Sequence, residues 1–207
     1  MLFVLALFFN FLIGGVTGVF LSDVPVNVTV HGGFFVLSHF HYTIMGGLLF
    51  AFMAGLYYWL PKMTGKMMNK KIGKVHFWMM FVFFNLTFFP MFIIGLLGQP
   101  RRVFTYASNL QGLNDFASVS AFLLGLSFLV FFFNLVWSMW IKPEAAPANP
   151  WESQGLEWLT ASPVPSYNFE RIPVILTDPY RYSEPEAPAY ADLGTGGPAD
   201  PSTHSMA

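Results

Sequence analysis

The stretch FFVLSHFH, residues 34–41, decides the fold. It opens a run, residues 34–60, that is long and apolar enough to cross a bilayer as a helix. His39 and His41 lie two residues apart in it, about 200° around a helix, so the two imidazoles leave opposite sides and cannot share one metal. Ionisable groups at membrane depth are costly, and coordination of iron or copper removes that cost. The pair is therefore the first candidate site.

The composition is that of an integral membrane protein. The 207 residues are 55% hydrophobic, 19% aromatic and only 10% charged. Because there is no Cys, disulfides, thiolate metal sites and Cys nucleophiles are excluded. No basic surface interleaved with aromatic residues remains outside the predicted membrane loops, so we expect no nucleic-acid partner.

Four apolar runs predict an all-α, multi-pass bundle of four transmembrane helices. They cover residues 2–21, 34–60, 75–97 and 116–140. Pro61, the break at residues 98–100 and Pro143 are predicted to end the second, third and fourth runs. The first run lacks a basic leader and a cleavage site, so it is predicted to be a membrane helix and not a signal peptide. A start inside a span indicates the C-terminal piece of something larger.

Small and polar residues interrupt these runs. Gly14, Gly15 and Gly18 are predicted to let another helix approach the first span closely. The other polar positions in the spans are predicted to hydrogen-bond neighbouring helices or backbone, and they are Asn10, Thr17, Asn85, Thr87 and Asn134.

The content of acidic residues and proline rises at residue 143. It divides the chain into a membrane region, residues 1–142, and a Pro-rich tail, residues 143–207. Residues 149–169 are predicted to lie extended along a partner, and about the last twenty residues are predicted to be disordered. The positive-inside rule assigns the second loop, both termini and the tail to the cytoplasmic side or its organellar equivalent. The lysines that decide this are Lys62, Lys66, Lys70, Lys71 and Lys74.

Four further basic residues lie near the ends of the predicted spans. Arg101 and Arg102, at the opposite side from the lysines, are either interfacial anchors or a site for anionic groups, for which guanidinium is well shaped. His76 is predicted to cap or anchor the start of the third span. His31 has no partner at a metal-ligand spacing and by itself reads as an ordinary loop histidine.

Five segments carry a family resemblance. Residues 31–42, 75–78, 85–90, 98–102 and 149–169 resemble, in order, the C-terminal part of subunit I of haem-copper cytochrome c oxidases. The resemblance implies that the four spans are the last four of that subunit's twelve helices. It also implies a respiratory terminal oxidase that reduces oxygen to water and translocates protons.

The same resemblance implies roles for individual residues. His39 would be the proximal ligand of the high-spin haem and His41 an axial ligand of the low-spin haem, with Phe40 between the two haems. Arg101 and Arg102 would bind haem propionates. The cofactors would be haem A in both positions and copper, whose ligands belong to the family's earlier helices.

A magnesium site is implied by His31, but this segment departs from the family. The family usually has His-Asp-Thr-Tyr where this chain has His31-Gly32-Gly33-Phe34, so an aspartate ligand is missing. Asn27 likewise stands where many relatives have an aspartate near the propionates.

The implied partners are the N-terminal part of subunit I, subunits II and III, cytochrome c or another donor, and membrane lipid. The implied location is an energy-transducing membrane, either a prokaryotic plasma membrane or the mitochondrial inner membrane.

Three alternative functions remain. A quinol oxidase would share these helices; a nitric oxide reductase is disfavoured by the arginine turn and tail; a membrane scaffold or transporter half would bind no haem.

Overall fold

Helices dominate the described part of the chain. A computed structural model describes residues 1–153, 155–169, 173–175 and 190–191, so the predicted disordered end lies outside the described residues. In chain order the elements are α1 (Leu2–Ser22), α2 (Val24–Val30), α3 (Phe34–Phe40), a π-helical segment (His41–Leu49), α4 (Phe50–Thr64), α5 (Lys70–Leu96), a 3-10 turn (Ser108–Leu110), α6 (Gln111–Val136), a π-helical turn (Trp137–Ile141), a 3-10 turn (Leu156–Trp158), and an antiparallel pair of two-residue strands, β1 (Val174–Ile175) and β2 (Tyr190–Ala191).

Four segments are long and apolar enough to cross a membrane: Leu2–Ser22, Phe34–Thr64, Lys70–Leu96 and Ser108–Ile141. The predicted all-α, four-span architecture is confirmed. Of the four, Lys70–Leu96 is the most buried, at 44% of its apolar window against 22% to 28% for the others, so α5 is the central helix.

Three predicted boundaries are wrong. The helix of the fourth span, α6, begins at Gln111 and not at residue 116. Pro61 does not end its helix, because α4 continues to Thr64. Proline removes only its own N–H from the helix, and the N–H of Gly65 still bonds the carbonyl of Pro61 (2.9 Å), so one more turn forms before Gly65 stops it at φ +69°. The third span begins at Lys70 and not at residue 75, because the side chain of Asn69 caps the backbone N–H groups of Lys71 (3.0 Å) and Ile72 (3.1 Å).

At the opposite end of α5, two loops pair with each other. The N–H of Phe34 donates to the carbonyl of Gln99 (3.1 Å), and the N–H of Arg101 donates to the carbonyl of Gly32 (2.9 Å). The buried side chain of Gln99 exchanges two amide hydrogen bonds with Asn114 of α6 (2.9 and 3.2 Å). The start of α3 is therefore tied both to the end of α5 and to α6.

Small residues allow the helices to approach closely. A Cβ on Gly95 of α5 would overlap the backbone nitrogen of Phe35 in α3 and lie 2.7 Å from its Cα. On α1, a Cβ at Gly14 would lie 2.8 Å from the Cγ2 of Thr43. Gly14 therefore fills the role predicted for it, whereas Gly15 has nothing within 4 Å.

The chain divides into two compact units, Met1–Trp59 with Met68–Glu144, and Leu60–Met67 with the residues from Ala145 onward. In the second unit, Lys62 is buried, and its Nζ donates to the carbonyls of Ala148 (2.9 Å) and Thr160 (2.5 Å). The same Nζ lies 5.2 Å from the ring centre of Trp158, within cation-π range. Lys62 is therefore an internal cation of this unit and not a loop charge.

Gly95→Ala should destabilise the protein strongly. The new methyl would meet backbone atoms of Phe35, which cannot rotate away, so we expect an overpacking cost of about 1–3 kcal/mol or more. The measurement is the thermal unfolding midpoint in detergent. Gly125→Ala on α6 is the matched control, because nothing lies within 4 Å of its Cβ position. An equal effect of both substitutions would contradict the close approach at Gly95.

Lys62→Met should loosen the second unit. Methionine keeps an apolar stem but leaves the carbonyls of Ala148 and Thr160 without their charged donor, a loss of about 1.5–3 kcal/mol for each hydrogen bond. Hydrogen exchange in residues 145–169 should accelerate, as measured by mass spectrometry. Lys142→Met, at an exposed lysine, should leave this exchange unchanged. Unaltered exchange in Lys62→Met would refute the assigned role.

Candidate functional site

The ring of His41 is held by α5 and by its own helix. It stacks on Phe88 of α5, with ring centres 4.2 Å apart and planes 16° from parallel. Its Nδ1 lies 2.7 Å from the carbonyl oxygen of Leu37, one turn earlier. Because a carbonyl can only accept, the Nδ1 of His41 carries the proton and donates it.

The ring of His39 is held by α1. Its Nδ1 lies 3.1 Å from the hydroxyl oxygen of Thr17. That hydroxyl donates its own proton to the carbonyls of Ile13 (2.9 Å) and Gly14 (3.0 Å), so its oxygen is free to accept from His39. A Cβ on Gly18 would lie 3.1 Å from the Cε1 of His39, so a glycine lets this ring sit against α1.

Both histidines therefore present the same atom, Nε2, to a possible metal ion. With Nδ1 protonated, Nε2 keeps its lone pair, and neither Nε2 has a hydrogen-bond partner among the described residues. A neutral imidazole whose second nitrogen is held by a hydrogen bond is the usual form of a metal-ligating histidine. The donor set of His39 and His41 fits axial ligation of iron.

The two rings lie against different neighbours, His39 on α1 and His41 on α5. This agrees with the predicted divergence of the pair. The expectation of one regular helix is wrong, however, because α3 ends at Phe40 and a π-helical segment begins at His41. A π segment widens the helix locally and redirects the side chains that follow, and such segments are frequent at functional sites.

Two contacts around the pair were not predicted. The buried Ser38 hydroxyl donates to the carbonyl of Phe88 (2.6 Å), and so fixes α3 to the residue on which His41 stacks. The second is the Thr17 contact to His39, for which the sequence signalled a polar residue but not its partner. Phe40 packs on His41 with ring centres 4.3 Å apart.

Arg101 and Arg102 lie in the paired loops at the α3 end of the bundle. Arg101 is half-buried and Arg102 is exposed, with a left-handed backbone at φ 65°. Neither guanidinium has a partner among the described residues, so both are free to meet an anion. His31 is exposed in the adjacent loop, directly before Gly32, whose carbonyl accepts from Arg101.

The polar residues inside the spans bond as predicted, except that the buried Nδ2 of Asn10 has no partner among the described residues. Asn85 of α5 links three segments, because its Oδ1 accepts from the hydroxyl of Tyr42 (2.8 Å) and its Nδ2 donates to Asn10 of α1 (3.3 Å). Thr87 bonds the carbonyl of Phe83 (2.7 Å). Asn134 bonds the carbonyl of Asn69 (3.2 Å).

His76 is fully buried and caps nothing, contrary to the prediction. Its Nδ1 lies 3.1 Å from the hydroxyl of Tyr57, and its Nε2 has no partner among the described residues. The cap at this end is provided by the side chain of Asn69, and His76 lies seven residues further along the chain.

Across the described ranges, no group of three or more His, Cys, Asp or Glu side chains is placed to hold a metal ion. His31, in particular, has Gly32 beside it in place of a carboxylate. The magnesium role implied for His31 stays a prediction.

Comparisons with known proteins address the family. The model of the family described as cytochrome c and quinol oxidase polypeptide I matches residues 1–129. Cytochrome c oxidase subunit 1 of Synechocystis sp. is 44% identical over 182 residues, which are 88% of this chain and 33% of that protein. Quinol oxidase subunit 1 of Bacillus subtilis is 40% identical over 179 residues, 84% of this chain and 28% of that protein.

A cryo-EM structure of a heme-copper terminal oxidase dimer matches with a TM-score of 0.61 and 26% identity, over 67% of this chain and 26% of that one. The chain thus spans about a third of the length of the curated relatives it matches. The resemblance inferred from the motifs is confirmed. This chain is a multi-pass membrane protein that belongs to the cytochrome c and quinol oxidase polypeptide I family.

Proposed function

We propose that this chain forms the C-terminal part of the catalytic subunit of a respiratory terminal oxidase, in which His39 and His41 ligate two haem irons. The observation that carries the proposal is the state of the two imidazoles. Each has its Nδ1 within hydrogen-bond distance of a fixed oxygen, its Nε2 has no partner among the described residues, and the two rings lie against different helices. Family membership supports the same reading.

In this proposal His39 would hold the iron of the high-spin haem and His41 the iron of the low-spin haem. Haem and copper, when bound, would supply the electron transfer and the oxygen-reducing chemistry. The protein's contribution is orientation: Thr17 holds the ring of His39, while Leu37 and Phe88 hold the ring of His41. Because both ligands belong to one continuous helical segment, the backbone sets their separation.

Phe40, packed directly on His41, would lie between the two haems. Arg101 and Arg102 would bind haem propionates, which is consistent with guanidinium groups that have no partner among the described residues. We assign His31 no metal, because the carboxylate that a magnesium ion requires is not provided beside it.

The remaining assignments follow from the family. The copper ligands and the second ligand of the low-spin haem would come from the N-terminal part of subunit I, with subunits II and III completing the complex. We further propose haem A and a lysine-bearing side that faces the cytoplasm or matrix. Residues 1–142 would form the membrane region and residues 143–207 the tail on that side.

The proposal has two forms, which differ in the electron donor, cytochrome c or a quinol. Relatives named cytochrome c oxidase and relatives named quinol oxidase both match this chain. We favour cytochrome c. Assaying the purified complex with reduced cytochrome c and with a short-chain quinol decides between them, and a co-purifying copper-binding subunit would support cytochrome c. Oxidation of the quinol alone would favour the alternative.

His41→Ala should remove the low-spin haem signal and leave high-spin haem detectable, and His39→Ala should do the reverse. Each substitution deletes the nitrogen that ligates one iron and leaves the other ring in place. Reduced-minus-oxidised spectra of the purified complex measure both signals. His31→Asn is the control, because this exposed histidine is assigned no metal. If the spectra of both alanine variants matched those of the parent, the ligand assignment would be wrong.

Arg101→Gln and Arg102→Gln should each lower the haem midpoint potentials by an amount on the order of tens of millivolts. Loss of a nearby positive charge favours the oxidised iron, which carries the greater positive charge. A spectroelectrochemical titration measures the shift. Lys142→Gln removes the same charge just beyond the π-helical turn that ends at Ile141 and should leave the potentials unchanged. A shift no larger than that of Lys142→Gln would show that the arginines do not face the haems.

A further inference from the structure

One face of α5 carries lysines above a continuous apolar stripe. Lys71, Lys74, Val75 and Trp78 are spaced i, i+3, i+4 and i+7, so they share one side of the helix. All four are exposed, Val75 by 53% and Trp78 by 55%. Two cations therefore stand one to two turns from an exposed indole on the same face.

The exposed face continues along the helix as an apolar surface. Trp78 packs edge-on against Phe77 and Phe81, which hold the indole in place, and its N–H has no hydrogen-bond partner among the described residues. Further along the same side, the exposed residues are Val82, Leu86, Phe89 and Ile93. An indole above aliphatic and phenyl groups is the arrangement found at the boundary between lipid headgroups and hydrocarbon.

The two lysines have no acidic partner within residues 1–153 and 155–169. Lys71 lies in the first turn of α5, where negative side chains are favoured, so its charge does not stabilise the helix. Each is long enough to extend its ammonium toward a headgroup while its stem covers apolar surface. The unpaired charges are thus available to an external anion.

We propose that this face of α5 binds an anionic glycerophospholipid. The phosphate pairs with Lys71 and Lys74, the indole N–H of Trp78 donates to the glycerol ester region, and an acyl chain lies along Val82 and Leu86. The apolar stripe directly below the cations favours a phospholipid over an acidic peptide or free phosphate, which would leave that stripe uncovered. This site does not depend on the haem assignment.

A site-specific label tests the proposal, because the chain contains no Cys. Leu86→Cys, labelled with bimane in the complex purified with its native polypeptides, is placed in nanodiscs of phosphatidylcholine. Brominated phosphatidylglycerol or brominated phosphatidylcholine is then added at equal mole fraction, and quenching is recorded. We expect stronger quenching by phosphatidylglycerol at Leu86→Cys. A label at Phe122→Cys, on an exposed face of α6, should show no preference.

Charge variants complete the experiment. Lys71→Gln and Lys74→Gln should each reduce the preference for phosphatidylglycerol about fivefold, whereas Lys142→Gln, which loses the same charge just beyond the fourth span, should not. Equal quenching by both lipids at Leu86→Cys would show acyl contact without headgroup recognition and would overturn the proposal. Absence of quenching by either lipid would show that protein covers this face, and this outcome would also overturn the proposal.

Discussion

A polar group inside hydrocarbon is costly unless a partner within the protein bonds it, and this constraint organises the membrane region. The hydroxyl of Ser38 donates to the carbonyl of Phe88, and the side chain of Asn85 bonds both Tyr42 and Asn10. These bonds join the second span to α5 and α5 to α1. The helices that hold the two imidazoles are therefore connected by specific hydrogen bonds as well as by aromatic packing.

The same constraint explains the state of the histidines. Each ring satisfies one nitrogen on a fixed oxygen, the hydroxyl of Thr17 or the carbonyl of Leu37, and so defines which nitrogen keeps its lone pair. Orientation thus comes from neighbours that ligate nothing themselves. The helix geometry changes at His41, where the π-helical segment begins, so the two histidines belong to segments of different helix type.

The two ends of α5 differ in chemistry. At its C-terminal end, backbone pairing between the loops around Gly33 and Pro100 holds the arginine turn against the start of α3. At its N-terminal end, Asn69 caps the helix and exposed lysines follow. In our proposals, one end presents guanidinium groups to haem propionates and the other binds an anionic lipid. Lys62 belongs to the same lysine-rich sequence, but it is buried in the second unit, where its Nζ donates to the carbonyl of Thr160.

The sequence by itself determined the fold class, the four spans, the family and the divergence of His39 from His41, because apolar run length and helical periodicity are local properties. It failed where a local signal depends on its partners. Proline ends a helix only when no further bond can form, so Pro61 gave the wrong boundary, and His76 was assigned to a cap that Asn69 provides. The tertiary structure alone decided that Thr17 meets His39, that Phe88 lies under His41, and that a π segment starts there. Those contacts join residues from different helices, and no spacing along a single helix encodes which side chain of another helix it will meet.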